Sequence, residues 1–129
     1  MKMSPLKVAQ AALQAYVDKD RNAIEGLLAK DFHFSSPIDN HLTRECYMAR
    51  CWPNSEKMAN FDYIYQAEEG VTAFVVYEAE TTGKRRFRNS EVHTVRDGKL
   101  VSTEVYFGWD LPHRAPDNGF IENDGAGHA

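Results

Sequence analysis

The spacing of apolar residues changes near residue 59, and that change constrains the fold more than any other feature of the chain. Before it, Leu6, Ala9, Leu13 and Tyr16 recur at helical spacing. After it the period is two. "NFDYIYQAE" places Phe61, Tyr63 and Tyr65 on one side, and "VTAFVVYEAE" places Ala73, Val75 and Tyr77 opposite Phe74 and Val76. Because both sides of that second strand are apolar, it is expected to be covered on both faces. A third strand, Arg85 to Arg96, and a fourth, Lys99 to Phe107, meet at "RDGK", where Asp97-Gly98 is a strong hairpin signal. Helices followed by long antiparallel strands predict an α+β domain with a curved sheet wrapped over the helices, enclosing a pocket.

Local signals place the helices. Ser4 before Pro5 caps a first helix, whose inward stripe includes Ala12 and Val17 while Lys7, Gln10 and Gln14 face water. Asp20 caps a second, shorter helix through Ile24, Leu27 and Leu28. "KDFHFSSPIDN" reads as a short strand or extended turn broken by Pro37, with Asp39 and Asn40 in a loop at the cavity mouth. Thr43 opens a third helix that carries Tyr47, Met48 and Cys51 inward and closes at Trp52, because the residue before Pro53 disfavours helix. After Gly108 the chain is rich in Pro, Gly, Asn and Asp without periodicity. It is expected to form a mobile tail over 110–129, behind a single domain over 1–109.

With 129 residues, 43% hydrophobic and 26% charged, the chain is long enough for one domain with a small cavity. No stretch approaches the roughly 18 uninterrupted apolar residues of a membrane span, and "MKMSPLKVAQ" lacks the apolar core of a signal peptide, so the expected location is the cytoplasm. A net charge of −4 and a pI near 5.7 provide no general basic field for nucleic acid. The one basic cluster, Lys84, Arg85, Arg86 and Arg88, reads as a solvated strand edge. Cys46 and Cys51 point to different faces of a helix, which makes neither a disulfide nor a metal pair. Five scattered histidines offer no metal-ligand spacing, and no phosphate loop, nucleophile elbow or dinucleotide fingerprint occurs. Cofactor-free chemistry is the expectation.

The third strand carries the chemistry. Arg86, Arg88, Ser90, Thr94 and Arg96 share an outer face, leaving Phe87, Asn89, Glu91, His93 and Val95 toward the interior. A buried carboxylate must be paired, hydrated or protonated, so Glu91 is the first acid–base candidate. His93, two residues away on the same face, is placed to share a proton with it or orient it. The bland alternative has His93 bonded to a carbonyl and Glu91 paired with Arg44 or Arg50. Asp39 is a second acid–base candidate, although turn formation explains it equally well. His33, between two phenylalanines, is expected to point away from the core. Asn89, Tyr47, Trp52, Tyr63, Tyr77, Val105 and Phe107 are the expected ligand-binding wall, apolar with a few donors, as a small apolar ligand requires. On the last strand Leu100, Ser102, Glu104 and Tyr106 are expected outside, forming a half-apolar face suited to a homodimer.

The order of elements, the "F-x-S-P" stretch (Phe34 to Pro37) and the ending "VRDGKLVSTEVYFG" resemble the nuclear-transport-factor-2-like superfamily in its SnoaL-like, polyketide cyclase-like branch. The resemblance covers roughly residues 4 to 109. It implies a cone-shaped, antiparallel to mixed sheet of about four to six strands over three N-terminal helices. Its members include isomerases, cyclases, dehydratases and epoxide hydrolases that mostly act without a cofactor on small apolar substrates, alongside binding proteins and non-catalytic dimers. Against the ketosteroid isomerase pattern, the expected base carboxylate before Pro37 is Ser36, and the first-helix tyrosine falls near Ala12. Only the carboxylic acid of the penultimate strand has a counterpart, Glu91. The catalytic set of that enzyme is therefore not present.

Overall fold

The computed structural model describes residues 3–122. Helix α1 (Pro5–Asp18) begins where Ser4 Oγ accepts from the Lys7 amide and ends at Lys19, whose left-handed backbone caps the last carbonyls. Helix α2 (Arg21–Leu27) is capped by Asp20, which accepts from the Ala23 amide. Strand β1 (Leu28–Ser36) follows directly, so Leu28 opens a strand instead of closing a helix. Strand β2 (Asp39–Thr43) then pairs back antiparallel onto β1. Asp39 and Asn40 therefore lie in this strand, not in the expected loop. Helix α3 (Arg44–Arg50), capped by Thr43, runs into a 3-10 turn over Trp52–Lys57. Strands β3 (Met58–Glu69), β4 (Thr72–Thr81), β5 (Arg86–Arg96) and β6 (Lys99–Leu111) complete the chain.

The six strands form one curved, unclosed sheet in the order β2-β1-β6-β5-β4-β3. All neighbours are antiparallel except β1 and β6, whose parallel pairing makes the sheet mixed. The concave face wraps α1, and two apolar clusters fill the space between. One gathers Val8, Ile24, Phe32, Tyr47, Trp52 and Leu100; the other gathers Ala9, Leu13, Val75 and Tyr77. Tyr16 packs against both. Asp97 and Gly98 both have positive φ, as the tight β5–β6 hairpin requires.

Three bulges correct the period-two reading. Between Tyr63 and Tyr65 the β3 register slips by one residue, so Tyr63 stays beside Tyr77 on the inner face while Tyr65, opposite Val76, turns outward and is 66% exposed. Val101 is the extra residue where Val95 pairs with Leu100 and Thr94 with Ser102. Leu100 thus lies in the core at 2% exposure, not on the outer face. The third bulge, at Gly108 and Trp109 opposite Arg88, extends β6 to Leu111, beyond the expected end at Phe107. A side chain at position 108 would place its Cβ 2.1 Å from the Arg88 carbonyl oxygen, which explains the glycine.

Among the described residues, no helix or strand packs over the outer face of β4. Phe74 is exposed there, contrary to the expectation of cover on both sides. Beyond Leu111 the described segment is irregular, and residues 123–129 of the expected tail lie outside the described residues. No described helix is long and apolar enough to cross a membrane.

Candidate functional site

Between α1, α3 and the concave sheet lies a cavity of about 200 Å³. Its apolar wall comes from Leu13, Phe34, Phe61, Leu100 and Val105, and Ile38 and Phe107, both well exposed, stand at its mouth. A small apolar molecule fits the character of such a wall.

The polar groups converge from β4, β5 and β6. Glu91 and His93 are buried, and both line the cavity. Glu91 Oε2 accepts a 2.6 Å hydrogen bond from the Tyr77 hydroxyl. Its Oε1 lies 3.0 Å from His93 Nε2. That approach is off the hydrogen-bond direction, so the buried Nε2 has a close carboxylate but no hydrogen-bond partner among the described residues. On its other side His93 Nδ1 meets Thr103 Oγ1 at 2.9 Å, which holds the ring in place. Burial, then the Glu91 charge, push the Tyr77 hydroxyl well above the ordinary tyrosine range, so it remains a donor.

Neither arginine of the bland alternative reaches Glu91. Arg44 donates to the Glu25 carbonyl, and Arg50 pairs with Asp39. Asp39, at the cavity wall, also accepts from Ser36 Oγ at 2.8 Å. Burial pulls the Asp39 carboxyl up, but the hydrogen bonds from Arg50 and Ser36 outweigh it, and the net shift is downward.

On the helical side, the hydroxyls of Tyr16 and Tyr47 are hydrogen-bonded to each other at 2.5 Å. Burial raises both well above the ordinary range. Burial also pushes the Cys51 thiol up to about 11, so at this wall it is a neutral thiol. Asn89 Oδ1 accepts from the Gly108 amide at 3.1 Å, which ties the bulge to the cavity lining.

The family model for the SnoaL-like domain matches residues 9–103, most of the chain. The chain belongs to the SnoaL-like family. Solved structures share the fold at low identity. A nuclear-transport-factor-2-like protein from Burkholderia xenovorans LB400 superposes with a TM-score of 0.70 at 22% identity, covering 94% of this chain and 95% of that one. An LEH-like epoxide hydrolase of M. tuberculosis gives 0.68 at 15% identity over 81% and 82%. IdmH of Streptomyces antibioticus, a candidate polyketide cyclase, gives 0.66 at 18% identity over 80% and 91%. No curated protein matches the sequence significantly.

Within this SnoaL-like cavity the structure brings together Glu91, His93, Asp39, Asn89, Tyr47, Tyr77, Val105 and Phe107. Trp52 and Tyr63 are not among its walls. Trp52 is core, edge-on to Tyr16, and Tyr63 packs in the second cluster. His33 turns away from the core and stacks on His41, with ring centroids 3.9 Å apart. Trp109 and Phe120 are both exposed. Sequence reasoning left out Tyr16, Thr103 and Cys51. Tyr16 carries a readable signal, since it lies one helical turn beyond Ala12 on the same inward stripe. Among the described residues no three His, Cys, Asp or Glu side chains gather as a metal ion would need.

Proposed function

We propose that this SnoaL-like protein binds a small apolar metabolite, carbonyl-containing or cyclic, and transforms it by cofactor-free acid–base chemistry as an isomerase, cyclase or dehydratase. One observation carries the proposal: a carboxylate, Glu91, and a buried imidazole nitrogen without a hydrogen-bond partner among the described residues face the same largely apolar cavity. Glu91 moves the proton to or from the substrate. His93 orients Glu91, and its Nε2 supplies or takes a proton at the ligand. Of the protonated Tyr16 and Tyr47 hydroxyls, which are hydrogen-bonded to each other, the one that accepts within the pair keeps its own hydrogen for a substrate oxygen on the helical side, with Asn89 near the rim. Asp39 is the second acid–base candidate. A carboxyl shifted downward is ionised near neutral pH and has no proton to give, and its basicity is reduced, so its part is that of a fixed negative charge or at most a weak base.

A thermal-shift screen of wild type and Glu91→Gln against ketones, lactones, epoxides and steroids tests this proposal. A ligand at about 100 times its Kd adds about 2.7 kcal/mol. Stabilisation by one chemical class, followed by turnover that wild type performs and Glu91→Gln does not, is the expected outcome. If Glu91→Gln and His93→Ala keep full binding and turnover, the assignment is wrong.

A second reading, a ligand-binding or dimerisation module without catalysis, draws support from the outer sheet face. Tyr65, Phe74 and Tyr106 stand exposed there, an arrangement that suits a homodimer packed face to face. Dimerisation is compatible with either role of the cavity.

A further inference from the structure

We propose that a groove outside the cavity mouth binds an anionic oxygen group, carboxylate or phosphate, of an amphipathic ligand whose apolar body fills the cavity. The inference rests on the ligand-binding proposal and adds the chemical class of the ligand's exposed end.

The groove, about 650 Å³, shares Asn54, Met58, Phe87, Asn89 and Phe107 with the cavity, so one molecule can span both. Its basic lining residues are Lys57, Arg85 and Arg114, and its one acidic lining residue is Asp110. Three positive charges against one negative leave the groove at +2, on a chain whose net charge is −4. Asp110 is already engaged by Arg85 at 2.9 Å. Among the described residues, Lys57 and Arg114 have no ion-pair partner. An anion entering here would meet two cations without displacing an internal partner.

Two of the three basic groups, Lys57 and Arg85, are also set on anchored backbone. The Lys57 carbonyl accepts from the Thr82 amide at 2.8 Å, and the Arg85 amide donates to Thr81 Oγ1 at 3.1 Å. Phe87 lies under the Arg85 guanidinium, 4.9 Å from ring centroid to Cζ. Phe107 and Trp109 add half-exposed aromatic walls, which limit water around the charges and strengthen their pull. The basic cluster that reads in sequence as a solvated edge thus divides. Arg86 and Arg88 pair with Glu78, while Arg85 turns into the groove.

Calorimetric titration with three matched probes tests this: 2-naphthylacetate, its neutral amide and 2-naphthyl phosphate, against wild type and a Lys57→Gln/Arg114→Gln double variant. Wild type should bind at least one anionic probe about tenfold tighter than the amide, as two ion pairs with the exposed Lys57 and Arg114 allow. The double variant should lose that preference while binding the amide as wild type does, and added salt should erode it. The tighter of the two anions identifies the group. Equal binding of all three probes to wild type, or a preference that survives in the double variant, overturns the groove assignment and leaves the cavity proposal standing. Failure of every probe, the amide included, removes the ligand-binding proposal and this inference with it.

Discussion

Tyr77 donates its hydroxyl hydrogen to Glu91 across the β4–β5 ladder, although the backbone pairs Tyr77 with Asn89 and Glu91 with Val75. The contact is diagonal. It exists because Tyr77, Asn89 and Glu91 share the concave face and the tyrosine is long enough to reach the next inward position along β5. Glu91 is thereby held by the Tyr77 hydroxyl on one side and has the His93 imidazole close by, without a hydrogen bond, on the other, an arrangement that leaves the carboxylate available to a ligand.

Tyr77→Phe removes that donor and leaves the ring in place. It should lower stability by about 1.5–3 kcal/mol, the range for a hydrogen bond to a charged group. Urea unfolding checks this through a reduced midpoint at unchanged slope. A change below about 0.5 kcal/mol, the range of neutral surface substitutions, would mean that the contact is not maintained in solution.

Gly108→Ala should cost about 1–3 kcal/mol, the usual toll of overpacking, because the added methyl meets the Arg88 carbonyl oxygen at 2.1 Å. The bulge must shift, and with it the amide that donates to Asn89. A thermal midpoint equal to that of wild type would sink this account of the rim.

Stability should also carry the signature of Asp39. Its folded-state carboxyl is shifted downward, so the stabilisation is present above the ordinary carboxylate range, near 4, and is lost as pH falls through the folded value. Asp39→Asn should therefore be less stable than wild type near neutral pH, and the gap should close in acid. Melting temperatures of both proteins between neutral and strongly acidic pH test the sign. A gap that widens on acidification contradicts it.

Leu100→Ala discriminates between strict alternation and the bulged strand. An outward leucine would cost little, whereas the observed core position predicts a loss of about 2–5 kcal/mol. The lower half of that range is expected, since Leu100 borders the cavity and its neighbours already lack full packing on that side.

The outer face gives a prediction about assembly. Wild type should sediment as a dimer, and Tyr65→Glu or Phe74→Glu as a folded monomer, because a charge in a face-to-face apolar contact is costly to bury. Light scattering coupled to gel filtration reads the masses directly. A monomeric wild type would end the proposal that this face joins two copies.

Much of the architecture was written in local chemistry. Ser4, Asp20 and Thr43 cap the helices they were expected to cap, because a side-chain oxygen satisfies free amides within three residues of itself. Asp97-Gly98 makes the expected hairpin for the equally local reason that both residues tolerate positive φ. The placement of Asn89, Glu91 and His93 on the inner face also followed from simple alternation, since β5 itself contains no extra residue between them. Alternation failed at Tyr65 and Leu100, because the extra residues Ile64 and Val101 put the side chains before and after them out of phase. Neither insertion has a local signature comparable to a cap or a turn. The site itself was decided by tertiary structure. Tyr16 and Tyr47 stand 31 residues apart, and Arg50 takes Asp39 as its partner instead of Glu91. Such pairings depend on how helices pack into the curved sheet, and that packing is a sum over many distant contacts that no short stretch of sequence contains.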